Sequence, residues 1–361
     1  MISIINVNNN NINEIIKNLK GRSNTINIRK SVEEIIENIK LHGNKALREY
    51  TLKFDNVELK DFLISNEEIE EAYKQCDKTM IRILEECKNN ITKYHEKQKE
   101  TGYIYQKELG IYMGQRIIPV DSVGVYVPGG KAAYPSSVLM NIIPAQVAGV
   151  QDIIIATPPN YNNKVNSNIL VAARVCGINK IYKIGGAQAI AALAYGTESI
   201  DPGNSYVAEA KRQVYGVVGI DMVAGPSEIL IIAKEGANPR YIAADMMSQA
   251  EHDEAASSIL LTTSKRLALE VEKEINIQLI SLSRKEIIEK SLNDYGKIII
   301  CNNLDECIKL SNLISPEHLE LLIENPMEYL GEIKNAGSVF LGEYTPEPIG
   351  DYFGGTNHVL P

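Results

Sequence analysis

The chain has 361 residues, enough for two domains with sizeable cores, and its 44% hydrophobic and 23% charged content is that of an ordinary globular protein. A net charge of −9 excludes general attraction to nucleic acid or to an anionic membrane surface. No apolar run approaches bilayer length, and the N-terminus lacks the basic start and apolar core of a signal peptide. Five scattered cysteines (Cys76, Cys87, Cys176, Cys301, Cys307) with no Cys-x-x-Cys pair point to reduced thiols in a cytoplasm.

Asn8 to Asn11 reads as a loop or mobile arm. Ser31 with Glu34 three residues on is a capping-box pattern, and it predicts a helix start there. Glu67 to Glu100 repeats Ile, Tyr, Cys and Leu at helical spacing between solvated charges, so the N-terminal region is helical. From Val123 strands and helices alternate. Val123 to Val127 is a strand running into Gly129-Gly130, and Ser137 to Gly149 is a helix interrupted by Pro144. Asp152 begins a strand, and Asn168 to Cys176 is a helix closed by Gly177, with Cys176 buried in it rather than nucleophilic. Lys180 to Gly186 and Ala187 to Gly196 repeat the unit. Glu228 to Ala233 is a further strand, and Asn238-Pro239 caps and opens a helix that carries Gln249 and His252. Ser257 to Thr263 and Lys297 to Cys301 are strands with helices between and after them. This succession predicts an α/β protein with two parallel sheets, helices packing on both faces of each.

Gly129-Gly130 and Gly185-Gly186 each end a strand before a helix, where backbone N–H groups could meet a phosphate. Neither matches Gly-x-Gly-x-x-Gly, and such a turn more often serves close packing. The polar clusters say more. Two of the five histidines, His252 and His318, lie in Ser248-Gln-Ala-Glu-His-Asp253 and Glu317-His318, and His358 follows Gly350-Asp351 closely. Gln249 and His252 are three apart and share a helix face; with Asp351 they supply a carboxamide, an imidazole and a carboxylate, donors that suit zinc. Glu317 and His318 then offer a base and an acid. The competing readings are hydrogen-bonded or surface histidines, and for Glu317 an acid at a helix N-terminus behind Ser315-Pro316. A zinc hydrolase with Glu317 as base lacks the His-Glu-x-x-His helix.

Six motifs in order resemble the histidinol dehydrogenase family: Val125-Tyr-Val-Pro-Gly-Gly130, Gly185-Gly-Ala-Gln-Ala-Ile-Ala-Ala-Leu-Ala-Tyr-Gly-Thr-Glu198, Ala224-Gly-Pro-Ser-Glu-Ile-Leu230, Ser248-Gln-Ala-Glu-His252, Ser315-Pro-Glu-His-Leu-Glu320 and Gly350-Asp-Tyr-Phe-Gly-Gly-Thr-Asn-His-Val-Leu-Pro361. The likeness runs from about residue 25 to the end of the sequence. It implies two Rossmann-like domains, one of residues 25–122 plus 230–361 carrying zinc and acid–base residues and one of 123–229 carrying the NAD contacts, after an arm of residues 1–24. It further implies a cytoplasmic homodimer that oxidises L-histidinol to L-histidine through the bound aldehyde, using zinc and two NAD⁺ in succession. Carried over residue by residue, Gln249, His252 and Asp351 match zinc ligands that also surround the substrate. Ser227, His318 and His358 match substrate-binding positions, Glu317 and His318 the acid–base pair, and Tyr126, Gln188 and Asn204 the NAD contacts.

Two departures from the family accompany the match. The family runs on past Asn-His-Val-Leu-Pro, and that tail supplies a further zinc-ligand His and a substrate-contacting Glu across the dimer. A short strand-like segment that the family has before Pro202-Gly-Asn204 is missing here, where Asp201 follows Ile200 directly. The chain is therefore expected to hold zinc less tightly, with turnover impaired and the sheet beside Asn204 disturbed. The alternative is a non-catalytic homologue that keeps the zinc and imidazole pocket.

Overall fold

The computed structural model describes residues 2–7, 26–129, 134–160, 162–200, 208–221 and 225–359. The Asn8–Asn11 run, Gly130, Asn204 and the junction after Ile200 lie outside the described residues. The chain divides into two units, one of Met1–Asn24, Gly225–Ile349 and Leu360–Pro361, the other of Thr25–Ala224 and Gly350–Val359. No helix among the described residues is long and apolar enough to cross a membrane.

Strand β1 (Ser3–Asn6) belongs to the first unit, and the chain then builds the second. There α1 (Ile26–Asp55) runs straight through Ser31, so the expected capping box does not start it. The helix is instead kinked at Gly43, where φ is 47° and ψ −124°, and the Asn44 N–H freed by the kink donates to Glu198 Oε2 at 2.8 Å. Next come α2 (Asn66–Gln75), capped by a Ser65–Glu68 capping box, and α3 (Lys78–Glu96), capped by Asp77. An antiparallel hairpin follows, β2 (Tyr103–Glu108) and β3 (Ile111–Gln115), exposed along both strands and unanticipated from the sequence. Strand β4 (Ser122–Tyr126), helix α4 (Pro135–Ala148), β5 (Asp152–Thr157), α5 (Ser167–Cys176), β6 (Ile181–Lys183), α6 (Gly186–Tyr195) and α7 (Ala208–Val214) complete the unit. Pro144 sits inside α4 without ending it.

Strands β4, β5 and β6 form a parallel sheet in that order. Alternation along β5 sends Ile153 and Ile155 into one apolar core with Leu84, Ile91, Ile142 and Ile169, and Ile154 and Ala156 into another with Ile39, Leu47 and Ile190. Helices α3, α4 and α5 thus cover one face, α1 and α6 the other. Residues 25–122 accordingly cluster with this sheet, unlike the expected grouping with 230–361, because their helices bury their apolar stripes against it. The main chain at 62–64 also lines the free edge of β6: Ile64 N–H donates to Ile181 O at 2.8 Å and Lys183 N–H to Phe62 O at 2.7 Å. That edge is therefore closed by an antiparallel stretch from the N-terminal region.

The first unit continues with β7 (Glu228–Ala233), α8 (Pro239–Ala250), β8 (Ser257–Thr262), α9 (Lys265–Gln278), α10 (Lys285–Asp294), β9 (Lys297–Ile300), α11 (Leu304–Ile314), β10 (His318–Leu322) and β11 (Ser338–Leu341). Its six strands are all parallel, in the order β1-β9-β8-β7-β10-β11. Ser3–Asn6 is thus an edge strand of this sheet rather than part of a separate arm. Both faces are covered, Ile229 and Ile231 joining one core and Leu230 and Ile232 the other, which is why these strands read as continuous apolar runs.

Candidate active site

Two sequence-predicted residues stand together at the start of β10. Helix α11 ends at Ile314, Ser315 takes the left-handed conformation with φ 60°, and Pro316 cannot continue the helix. Glu317 and His318 therefore enter a strand, and the reading of Glu317 as a helix N-terminal acid is corrected. Both side chains are anchored on one residue of the neighbouring strand. Glu317 Oε2 accepts the Glu228 N–H at 3.1 Å, and His318 Nδ1 lies 3.2 Å from the Glu228 carbonyl oxygen. A carbonyl only accepts, so Nδ1 carries a proton here and Nε2 is the ring nitrogen left to exchange one. Glu317 Oε2 is 3.8 Å from His318 Nδ1, and His318 is buried.

Helix α8, capped by Asn238 with Pro239 at its first position, carries Gln249 but stops at Ala250, so His252 lies in the following turn rather than on the helix. Gln249 Nε2 and His252 Nδ1 are nevertheless 3.3 Å apart. Gln249 is 1% exposed, and its Oε1 is buried without a hydrogen-bond partner among the described residues. A buried carboxamide oxygen in that state fits a cation ligand, since leaving it unmatched is costly. Ser227 lies just before β7 and binds the sheet through its carbonyl, which accepts the Ser257 N–H at 3.0 Å.

Glu347, which the sequence did not single out, is 1% exposed and offers a carboxylate oxygen within 4.8 Å of a ring nitrogen of His318. Its main-chain N–H donates to Glu320 Oε1 at 2.8 Å. Four residues on, Asp351 is buried in the one-turn π-helix Ile349–Phe353, a local widening common at functional sites.

In the second unit the segment after Gly350 is tied down by several contacts. His358 Nδ1 donates to the Asp351 carbonyl at 3.1 Å, and its Nε2 lies 3.4 Å from Ser137 Oγ. Asn357 Nδ2 donates to Met140 O at 2.8 Å, and Asn90 Nδ2 to Phe353 O at 3.0 Å. His95, buried on α3, faces Asn357 as well as Gln98, and burial pushes its pKa down.

The same unit holds two of the residues matched to NAD contacts. Tyr126 ends β4, and its hydroxyl accepts the Gly186 N–H at 3.1 Å; burial raises its pKa. Gln188 is 1% exposed on the first turn of α6, with Oε1 buried and unpartnered among the described residues. Both stand at the carboxyl ends of parallel strands, the usual position of a dinucleotide in such sheets. The glycine turns serve packing here: a Cβ on Gly129 or Gly185 would come within 2.8 Å or 2.6 Å of the Pro158 ring. Asn204 lies outside the described residues.

The histidinol dehydrogenase family model matches residues 19–361. The chain belongs to the histidinol dehydrogenase family. It is 55% identical over 353 residues to the histidinol dehydrogenase of Clostridium acetobutylicum, covering 96% of this chain and 82% of that one. The histidinol dehydrogenase of Listeria monocytogenes is 50% identical over 360 residues, covering 97% and 84%. A crystal structure of histidinol dehydrogenase from Elizabethkingia anophelis matches with a TM-score of 0.93 at 40% identity, covering 100% of this chain and 84% of that chain. In this histidinol dehydrogenase relative, Asn90, His95, Ser137, Glu320 and Glu347 make contacts around these segments that the sequence does not single out. Only Glu320 left a readable signal, as a lone acid inside an apolar strand.

Proposed function

We propose that this chain oxidises L-histidinol to L-histidine through the bound aldehyde, with zinc and NAD as cofactors, as the last step of histidine biosynthesis. The anchoring of Glu317 and His318 on a single residue, Glu228, is the observation that carries this reading, because it fixes a carboxylate and an imidazole side by side. Gln249, His252 and Asp351 would hold the zinc. When bound, the metal would anchor the imidazole and amine of histidinol, both good zinc ligands. NAD, held by Tyr126, Gln188 and Asn204, would accept hydride from the carbinol carbon.

The protein's own contribution is positioning and proton transfer. His318 Nε2 takes the hydroxyl proton in the first oxidation and releases it to solvent. Glu317 takes a proton from water as the oxygen adds to the aldehyde carbon and returns it to the former carbonyl oxygen, giving the hydrate. His318 then accepts a hydroxyl proton from the hydrate as its carbon gives up the second hydride, which a second NAD would take, leaving the carboxylic acid. Ser227 and His358 line the substrate. We also propose that the chain works as a cytoplasmic homodimer. The hairpin β2–β3 supports that pairing: it exposes Ile104, Leu109 and Tyr112, and a two-stranded ribbon alone is marginally stable.

Zinc-loaded protein supplied with L-histidinol and NAD should form two NADH per histidinol consumed. Absence of NADH with both cofactors present would overturn the proposal.

A further inference from the structure

Glu320 is a carboxylic acid of zero exposure in the middle of a parallel sheet, a position where an acid is costly unless something uses it. It is two residues from His318 on β10, so both side chains project to the same side of the sheet. One oxygen, Oε1, accepts the Glu347 main-chain N–H at 2.8 Å. The Asp245 side chain lies within hydrogen-bonding reach of the Glu320 carboxyl. Asp245 is four residues before Gln249 on α8, on the same helix face. As two carboxylates the pair would lack a donor, and Glu320 Oε2 has none among the described residues; a carboxyl proton on either acid supplies one. Burial raises both groups above the usual carboxylate range, Glu320 further because the Asp245 charge adds to it. The acid pair thus links the helix of Gln249, the strand of His318 and the stretch of chain bearing Glu347.

We propose that Glu320 is a positioning residue: braced by Asp245, it clamps the Glu347 main chain and so sets the Glu347 carboxylate beside the His318 imidazole. Glu347 then stabilises the imidazolium that His318 becomes on taking a proton, and Glu320 acts on the reaction only through it. The role in turnover rests on the proposed acid–base function of His318; the clamp itself does not.

The test compares Glu320→Ala with Glu320→Gln. Glutamine keeps an acceptor for the Glu347 N–H and gives a donor to Asp245, so it restores the clamp without a shared proton. Amide exchange of the peptide around Glu347, read by mass spectrometry on the full chain, should speed up on the order of tenfold or more in E320A and stay at the wild-type rate in E320Q. With histidinol, kcat should fall on the order of tenfold to a hundredfold in E320A, KM for NAD should stay unchanged, and E320Q should recover most of the rate. Wild-type exchange and kcat in E320A would overturn the proposal, as would an E320Q protein as impaired as E320A. If E320A does not fold, E320Q decides alone: protected exchange with near-wild-type kcat supports the clamp, and loss of either overturns it. A wild-type protein inert toward histidinol whose exchange pattern still follows the clamp would sink the proposed function and leave the clamp standing.

Discussion

Gly355→Ala separates backbone strain from steric conflict at the turn carrying Asp351. Gly355 has φ 101°, and an added Cβ would lie 2.6 Å from the Asn90 carbonyl oxygen and 2.9 Å from its carbon. Those atoms belong to the backbone of α3, which is packed into a core through Leu84, Cys87 and Ile91 and cannot retreat cheaply. Forcing an L-residue to positive φ costs about 1–2 kcal/mol. Moving the turn away to relieve the clash breaks the Asn90–Phe353 hydrogen bond, worth about 1 kcal/mol. The total is about 2–3 kcal/mol. Gly236→Ala is the control, since Gly236 has φ 104° with nothing within 4 Å of its added Cβ. It should cost about 1–2 kcal/mol and leave zinc content and turnover unchanged. Urea unfolding of both variants, with zinc measured after a chelator wash, reads both effects. G355A should lose more stability than G236A and should also lose zinc. Equal costs with full zinc retention in both would mean that the Asn90 backbone does not constrain this turn.

Removing zinc with a chelator should abolish histidinol-dependent NADH formation, with recovery on adding zinc, while NAD binding measured by calorimetry persists. Gln188→Leu should raise KM for NAD about tenfold with zinc content unchanged, since it replaces a buried amide whose oxygen awaits a partner. The folded-state pKa of His95 is lowered by burial, so the folded protein binds fewer protons there than the unfolded chain; stability should fall as pH drops through about 6.5, by at most about 1.4 kcal/mol per pH unit, and His95→Gln should flatten that slope in urea midpoints. Native alkylation should modify Cys76 before Cys176, whose thiol burial pushes up to about 12, and turnover should survive the Cys76 label.

Much of the fold was legible because strand and helix periods are local. Asp152–Thr157, Glu228–Ala233 and the helix after Asn238-Pro239 sit where their apolar runs and caps place them. Misreadings came where a distant partner decided the matter. Ser31 looks like a cap, yet the chain before it is already helical, and the real break is at Gly43, opposite Glu198. Ser315-Pro316 signals a boundary equally well from either side; the structure shows a helix ending and a strand beginning. The resemblance groups residues 25–122 with 230–361, whereas their helices pack on the sheet of β4, β5 and β6; which apolar face an amphipathic helix meets is not encoded in its own periodicity. At the site, histidines and acids in short clusters were visible, whereas Glu347 and Asp245 gain meaning only through contacts with residues far along the chain.

The most direct measurement is anomalous scattering at the zinc edge from crystals of the protein grown with zinc and histidinol. A single strong peak is expected, bonded to Gln249 Oε1, an imidazole nitrogen of His252 and a carboxylate oxygen of Asp351. A zinc ion elsewhere, with Gln249 Oε1 still unligated, would contradict it.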